Sequence, residues 1–169
     1  MFLTKILIEE IQQEAVNTKK MLGRVPAEKF EWRPHEKSMT LKQLAVHTAN
    51  LSRRPAQIIT TKYLDMADSS IKKPEVNSTQ DLLKEFEEGT SQSIDALTSV
   101  SDDDLNVNWI MRRGEHIIID TSKAAAIRNM GLSHLYHHRA QLSVYLRLLD
   151  VPVPGMYGQS ADDKLLVKG

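Results

Sequence analysis

Four stretches of the chain repeat their apolar residues at helical spacing, and together they cover most of its length. The first runs from Phe2 to Leu22 and places Leu3, Ile6, Leu7, Ile11 and Ala15 on one side; Gly23 and Pro26 stop it. The second begins near Thr40, with Ser38 as its candidate cap, and runs to Tyr63. Pro55 lies inside it and is expected to kink or split it. The third follows Ser78 or Thr79 and carries Leu82, Leu83, Phe86, Ile94 and Leu97. The fourth runs from Thr121 to Leu149, and Asp150 with Pro152 ends it.

Between these stretches lie three connections. Residues 29–39 contain Trp32 and Pro34, and residues 65–77 are polar. Residues 106–120 hold two β-rich runs, VNWIM and HIIID, around Arg113-Gly114-Glu115, the pattern of a small hairpin. The tail PVPGMYGQSADD is rich in proline and glycine and reads as an ordered loop. The expected fold is all-α: a four-helix bundle with a long crossover connection and a hairpin-like insertion between helices three and four. One domain spans residues 1–169, and no internal repeat or low-complexity segment interrupts it.

Composition narrows the chemistry. Lys plus Arg and Asp plus Glu are 22 each, so no long-range field draws the chain to nucleic acid or an anionic membrane. Charges interrupt the N-terminal apolar run too early for a signal peptide, and no apolar run approaches the ~20 residues of a membrane span. A cytoplasmic protein is expected. Cysteine is absent, which removes disulfides, thiolate metal sites and a protein thiol nucleophile. A metal site would have to use histidine and carboxylate, and thiol chemistry would need a thiol brought by a small molecule.

Three of the six histidines fall in the run HLYHHRAQL. At 100° per residue, with His134 at 0°, His138 sits near ~40° and Gln141 near ~340°, inside the apolar stripe. His137 falls near ~300°, at its edge, and Arg139 near ~140°, on the polar side. On the second helix, His47 shares a face with Leu44, Leu51 and Ile58. Buried polar groups without partners cost roughly 1–3 kcal/mol each, so three inward imidazoles call for something that satisfies them. A pair of histidines four apart on a helix directs two nitrogens at one point, as in zinc proteases, and a third from a facing helix completes a three-histidine site. His47, His134 and His138 are therefore the candidate metal ligands.

Gln141 and Arg139 are candidates to orient ligands or a cofactor around that site; the alternatives are that Gln141 only satisfies a neighbouring imidazole and that Arg139 forms a salt bridge on the polar face. His137 reads as a supporting or exposed group, and His35 and His116 as surface residues. Asp102-Asp103-Asp104 and Arg112-Arg113 read as solvated, and Trp32 and Trp109 as packing residues.

The segments FEWRPHEKSMTLKQLAVHTANL, HLYHHRAQL and LRLLDVPVPGMYGQSADD resemble the DinB-like superfamily of damage-inducible bacterial proteins. The second is similar to that family's H-x-x-x-H-R-G-Q element, with Ala140 where glycine is common. The resemblance covers most of the chain. It implies a four-helix bundle with metal ligands at His47, His134 and His138, the three selected independently by helical angle. It also implies a homodimer.

Related bundles include isomerases and transferases that use a low-molecular-weight thiol. With the open positions of a three-histidine site, this points to a metal-dependent transferase or hydrolase holding one divalent ion, zinc or nickel, since imidazole suits both. Its partners would be a small-molecule substrate or thiol, without nucleic acid or membrane. A non-catalytic metal-binding protein of the stress response is the alternative. No residue is assigned as a catalytic acid or base.

Overall fold

A computed structural model describes residues 2–69 and 74–163. Residues 70–73 of the polar connection therefore lie outside the described part. Four helical rods form the body. The first is α1 (Leu3–Leu22); the second is α2 (Leu41–Asn50) followed by a 3-10 turn (Leu51–Arg53) and α3 (Arg54–Thr60). The third is α4 (Thr79–Thr98). The fourth is α5 (Lys123–Ala126), a π-helical segment (Ile127–Ser133) and α6 (His134–Leu148).

Local chemistry explains most of these boundaries. Thr40, rather than Ser38, caps α2: its hydroxyl accepts from Gln43 N while the Gln43 side chain accepts from Thr40 N, a reciprocal capping box. Ser78 caps α4 by accepting from Asp81 N. The cap of α1 comes from a distant residue. Asp102 accepts from the backbone N–H groups of Phe2, Leu3 and Thr4, which holds its carboxyl far below the ordinary range. The acidic run expected to be solvated thus supplies a helix terminus with its anion.

Pro55 splits the second rod as its position predicts, and it sits in the first turn of α3 where its missing N–H costs little. The break frees backbone groups that α4 recovers. Ser93 Oγ donates to the Ser52 carbonyl (2.6 Å) and accepts from Ala56 N (3.2 Å). Gly89 allows this close approach: a Cβ there would lie 2.2 Å from Ser52 Oγ and 3.0 Å from Arg53 N.

The fold is mostly helical but not purely all-α. The expected hairpin is present as β2 (Asn108–Arg113) and β3 (His116–Ser122), turning at Gly114, whose φ of +59° suits glycine. A third strand, β1 (Tyr63–Asp65), pairs parallel with β2, so Tyr63 ends no helix. After α3 the chain becomes extended at Thr61, and Asp65 anchors the strand by accepting from Ala67 N and Gly114 N beside Arg112. The fourth rod begins at Lys123, because residues 116–122 complete the sheet.

Two apolar clusters fill the interior. One gathers Phe30, Leu41, Leu44, Phe86, Leu142 and Leu146; the other gathers Leu7, Ile58, Leu97, Trp109, Ile127 and Leu132. Trp109 is fully buried and donates its indole N–H to Thr61 Oγ1 at 3.2 Å. Trp32 packs edge-on against Tyr145. The tail is an ordered loop. Val153 N donates to Asp162, Ser160 N donates to Asp163, and Arg147 pairs with Asp162.

Candidate metal centre

On the fourth rod, Leu132 belongs to one apolar cluster and Leu142 to the other, and His134 and His138 fall between them. His47 faces them from α2, between Leu44 and Ala49 of the core. One ring nitrogen from each of the three lies within 4.8 Å of the others. The Nε2 atoms of His47 and His134 are 3.4 Å apart, and those of His134 and His138 are 2.8 Å apart.

Two nitrogens bound tetrahedrally to zinc at 2.0–2.1 Å would stand about 3.3 Å apart. The first pair already has that spacing, and the second needs to open by roughly half an ångström. The three histidines thus form a group able to hold one metal ion. Among the described residues, no carboxylate joins it.

Tautomer and charge suit the same task. His138 Nδ1 lies 2.8 Å from Gln141 Oε1, an acceptor, so Nδ1 carries the proton and Nε2 keeps its lone pair. Burial pulls His47 down to about 4, helped by the neighbouring His138, His134 and Arg54. Burial also lowers His134, with His138, Arg54 and His137 adding to the effect. For His138 burial lowers the value while the Gln141 hydrogen bond raises it. All three imidazoles are neutral at pH 7, the form that binds metal. His134 Nδ1 is buried without a hydrogen-bond partner among the described residues, while the Met130 backbone opposes the lowering of the His134 pKa.

The supporting residues divide. Gln141 is an exposed residue rather than an inward one, yet its amide oxygen is the group that orients His138. Arg139 is not on a polar face: it is 3% exposed and points to α1. There it pairs with Glu14 Oε2 (2.6 Å), donates to Thr18 Oγ1 (2.9 Å) and to the Glu14 carbonyl, and meets Tyr157 OH from the tail. The wheel missed this because α1 covers that side of α6, and a single-helix projection does not show which neighbour lies where. His137 is exposed with its ring 4.9 Å from that of His138, and His35 and His116 are exposed.

Sequence reasoning overlooked two features. The π-helical segment ends at Ser133, directly before His134, a deviation often found beside functional sites. Arg54 also went unnoticed, although it stands seven residues, or two turns, beyond His47.

A mostly helical bundle with a three-histidine cluster defines a class of potential metal-binding proteins. The DinB family model matches residues 1–164, and the chain belongs to that family. Solved structures agree on the fold. A DinB-like protein from Bacillus subtilis is 17% identical, covers 91% of this chain and 99% of its own, and superposes with a TM-score of 0.69. A DinB-like protein from Bacillus cereus is 19% identical, with coverage of 89% and 95% and a TM-score of 0.69. No curated protein matches the chain. Among the described residues, no helix is long and apolar enough to cross a membrane.

Proposed function

We propose that His47, His134 and His138 hold one divalent ion, zinc or nickel, and that the site carries out a metal-dependent transfer or hydrolysis. A low-molecular-weight thiol is the proposed co-substrate. The convergence of three neutral imidazoles on one point, with His138 oriented by Gln141, carries this reading. Three protein ligands leave coordination positions open, whereas a structural site closes them. A divalent ion among neutral ligands lowers the pKa of a bound water or thiol toward neutrality.

The chain's own contribution is to keep the imidazoles unprotonated by burial, fix the His138 tautomer, and surround the site with apolar core. Because the sequence contains no cysteine, a thiol at this site comes from outside. The same reading places the protein in the cytoplasm as a homodimer. Its dimer contact would use exposed apolar residues of α1 and its N-terminus such as Phe2 and Val16, and light scattering tests it.

Elemental analysis of purified protein is expected to give one zinc or nickel per chain, and little in His47→Ala and His138→Ala. Full occupancy in both variants would overturn the site. Metal-loaded protein is then assayed with bacillithiol, mycothiol or glutathione and monochlorobimane, and with ester and amide substrates. Turnover above that of His134→Ala is expected with at least one, and its absence throughout leaves a metal-binding protein without catalysis.

A further inference from the structure

Arg54 is the anomaly of the site. The residue is half-buried, its Nε is wholly shielded from solvent, and that Nε has no hydrogen-bond partner among the described residues. No ion pair to the side chain forms either: all the acidic groups paired with arginines among the described residues serve Arg53, Arg112, Arg128, Arg139 and Arg147. Burial lowers its pKa from the ordinary arginine value. Arg54 stands seven residues beyond His47 on the same rod, and its charge adds to the lowering of the His47 and His134 pKa values. Asn50, between His47 and Arg54 on the same rod, has a buried Oδ1 that also lacks a partner.

A donor shielded from water and left without an acceptor is unfavourable, and no acceptor among the described residues serves the Arg54 Nε. The imbalance grows if the metal reading holds, and the inference rests on that reading for its full force. Three neutral ligands leave a divalent ion its whole charge, and Arg54 adds one more of the same sign. The groups acting on the three histidines and on Arg54 include no acid. Such a cationic pocket is completed by an anion. A guanidinium fork matches an oxyanion in shape and charge, and charge-assisted hydrogen bonds of this kind are among the strong ones.

We propose that Arg54 is a specificity-determining residue that receives an oxyanion of the substrate, a carboxylate or a phosphate ester, beside the three-histidine centre. Neutral molecules of similar size are then poor ligands. Arg54 keeps its unfavourable burial because the ligand, not the fold, supplies the counter-charge.

The test uses full-length protein loaded with cobalt(II), whose visible absorption reports changes around the metal. Acetate represents a carboxylate and methyl phosphate a phosphate ester, with acetamide as the neutral control. Either anion is expected to change the spectrum of the wild type. The apparent dissociation constant is expected to rise about tenfold to a hundredfold in Arg54→Met and less in Arg54→Lys. A response to acetate alone assigns carboxylates, and one to methyl phosphate alone assigns phosphate esters. No response from the loaded wild type to either anion, or equal responses from the wild type and a folded Arg54→Met, overturns the proposal.

Failure to take up cobalt is a failure of the metal reading instead. The Arg54 Nε–H resonance of metal-free protein then decides the matter: a shift with the anions supports the anion site, and none overturns it. Thermal unfolding gives a further readout. A purely structural Arg54 predicts that Arg54→Met melts lower, whereas a ligand-receiving one predicts that it melts as high as the wild type or higher.

Discussion

Two arginines next to the same helices solve the problem of burial in opposite ways. Arg139 is sealed between α6 and α1 and has a full set of partners in Glu14, Thr18 and Tyr157. Arg54, at the start of α3, has a shielded Nε with none. The first arrangement is finished within the chain: it fixes α6 against α1 and ties the tail to both, since Tyr157 OH also donates to Glu14 at 2.7 Å. The second is unfinished among the described residues and follows His47 on the same rod, whose cluster also leaves the His134 Nδ1 without a partner. A satisfied buried charge reports on architecture, and an unsatisfied one reports on a ligand.

The sharpest way to break that contrast is to remove one member of the sealed pair. Arg139→Met leaves Glu14 buried without its counter-charge and is expected to cost about 3–5 kcal/mol in denaturant unfolding, while Arg139→Met with Glu14→Leu recovers much of the loss. Arg54→Met, measured alongside, should show no such cost. Equal destabilisation by the two single variants would erase the distinction.

Next in size is the contact that supports the centre itself. Gln141→Leu removes the acceptor from His138 Nδ1 and is expected to weaken metal affinity about 10- to 100-fold, as loss of such supporting groups typically does. Competition with a chelator measures it, and the fold should be unaffected because Gln141 is exposed.

A smaller effect is expected at Gly89, which lets the Leu51–Arg53 turn approach α4 and so sets where Arg54 begins. Gly89→Ala forces that turn outward at a cost of roughly 1–3 kcal/mol. Its melting temperature should fall, and the anion response should weaken with it. An unchanged melting temperature would show that the contact yields freely.

The mildest perturbation is pH. His47 binds a proton near 6.5 when unfolded but only near 4 in the metal-free fold. The unfolded chain therefore binds more protons between those values, so stability is full above about 6.5 and is lost as the pH falls toward 4. Metal should follow the same window and leave as the pH nears 4. Unfolding curves with and without chelator across pH 4–7 check both statements. A flat profile for metal-free protein would mean that the histidines are not buried as described.

Much of this molecule was legible in its sequence. The α1 and α4 boundaries, the split at Pro55, the hairpin and the ordered tail all follow from local signals, because caps, breakers and periodicity act over a few residues. The histidine cluster was legible as well, since a spacing of four on one helix face fixes two of its members and an inward position on a second helix adds the third. Pairing of Tyr63–Asp65 with β2, capping of α1 by Asp102 and the α1 partners of Arg139 were not legible. Each joins residues far apart in the chain, and only packing brings them together.

The sequence by itself determined the helices, the absence of a protein thiol and the identity of the three histidines, for these rest on composition and on rotation about one helix axis. Only the tertiary structure decided which buried charges find partners. That depends on what each neighbouring element presents across the gap, and it is why Arg139 became part of the frame while the Arg54 Nε was left without a partner among the described residues.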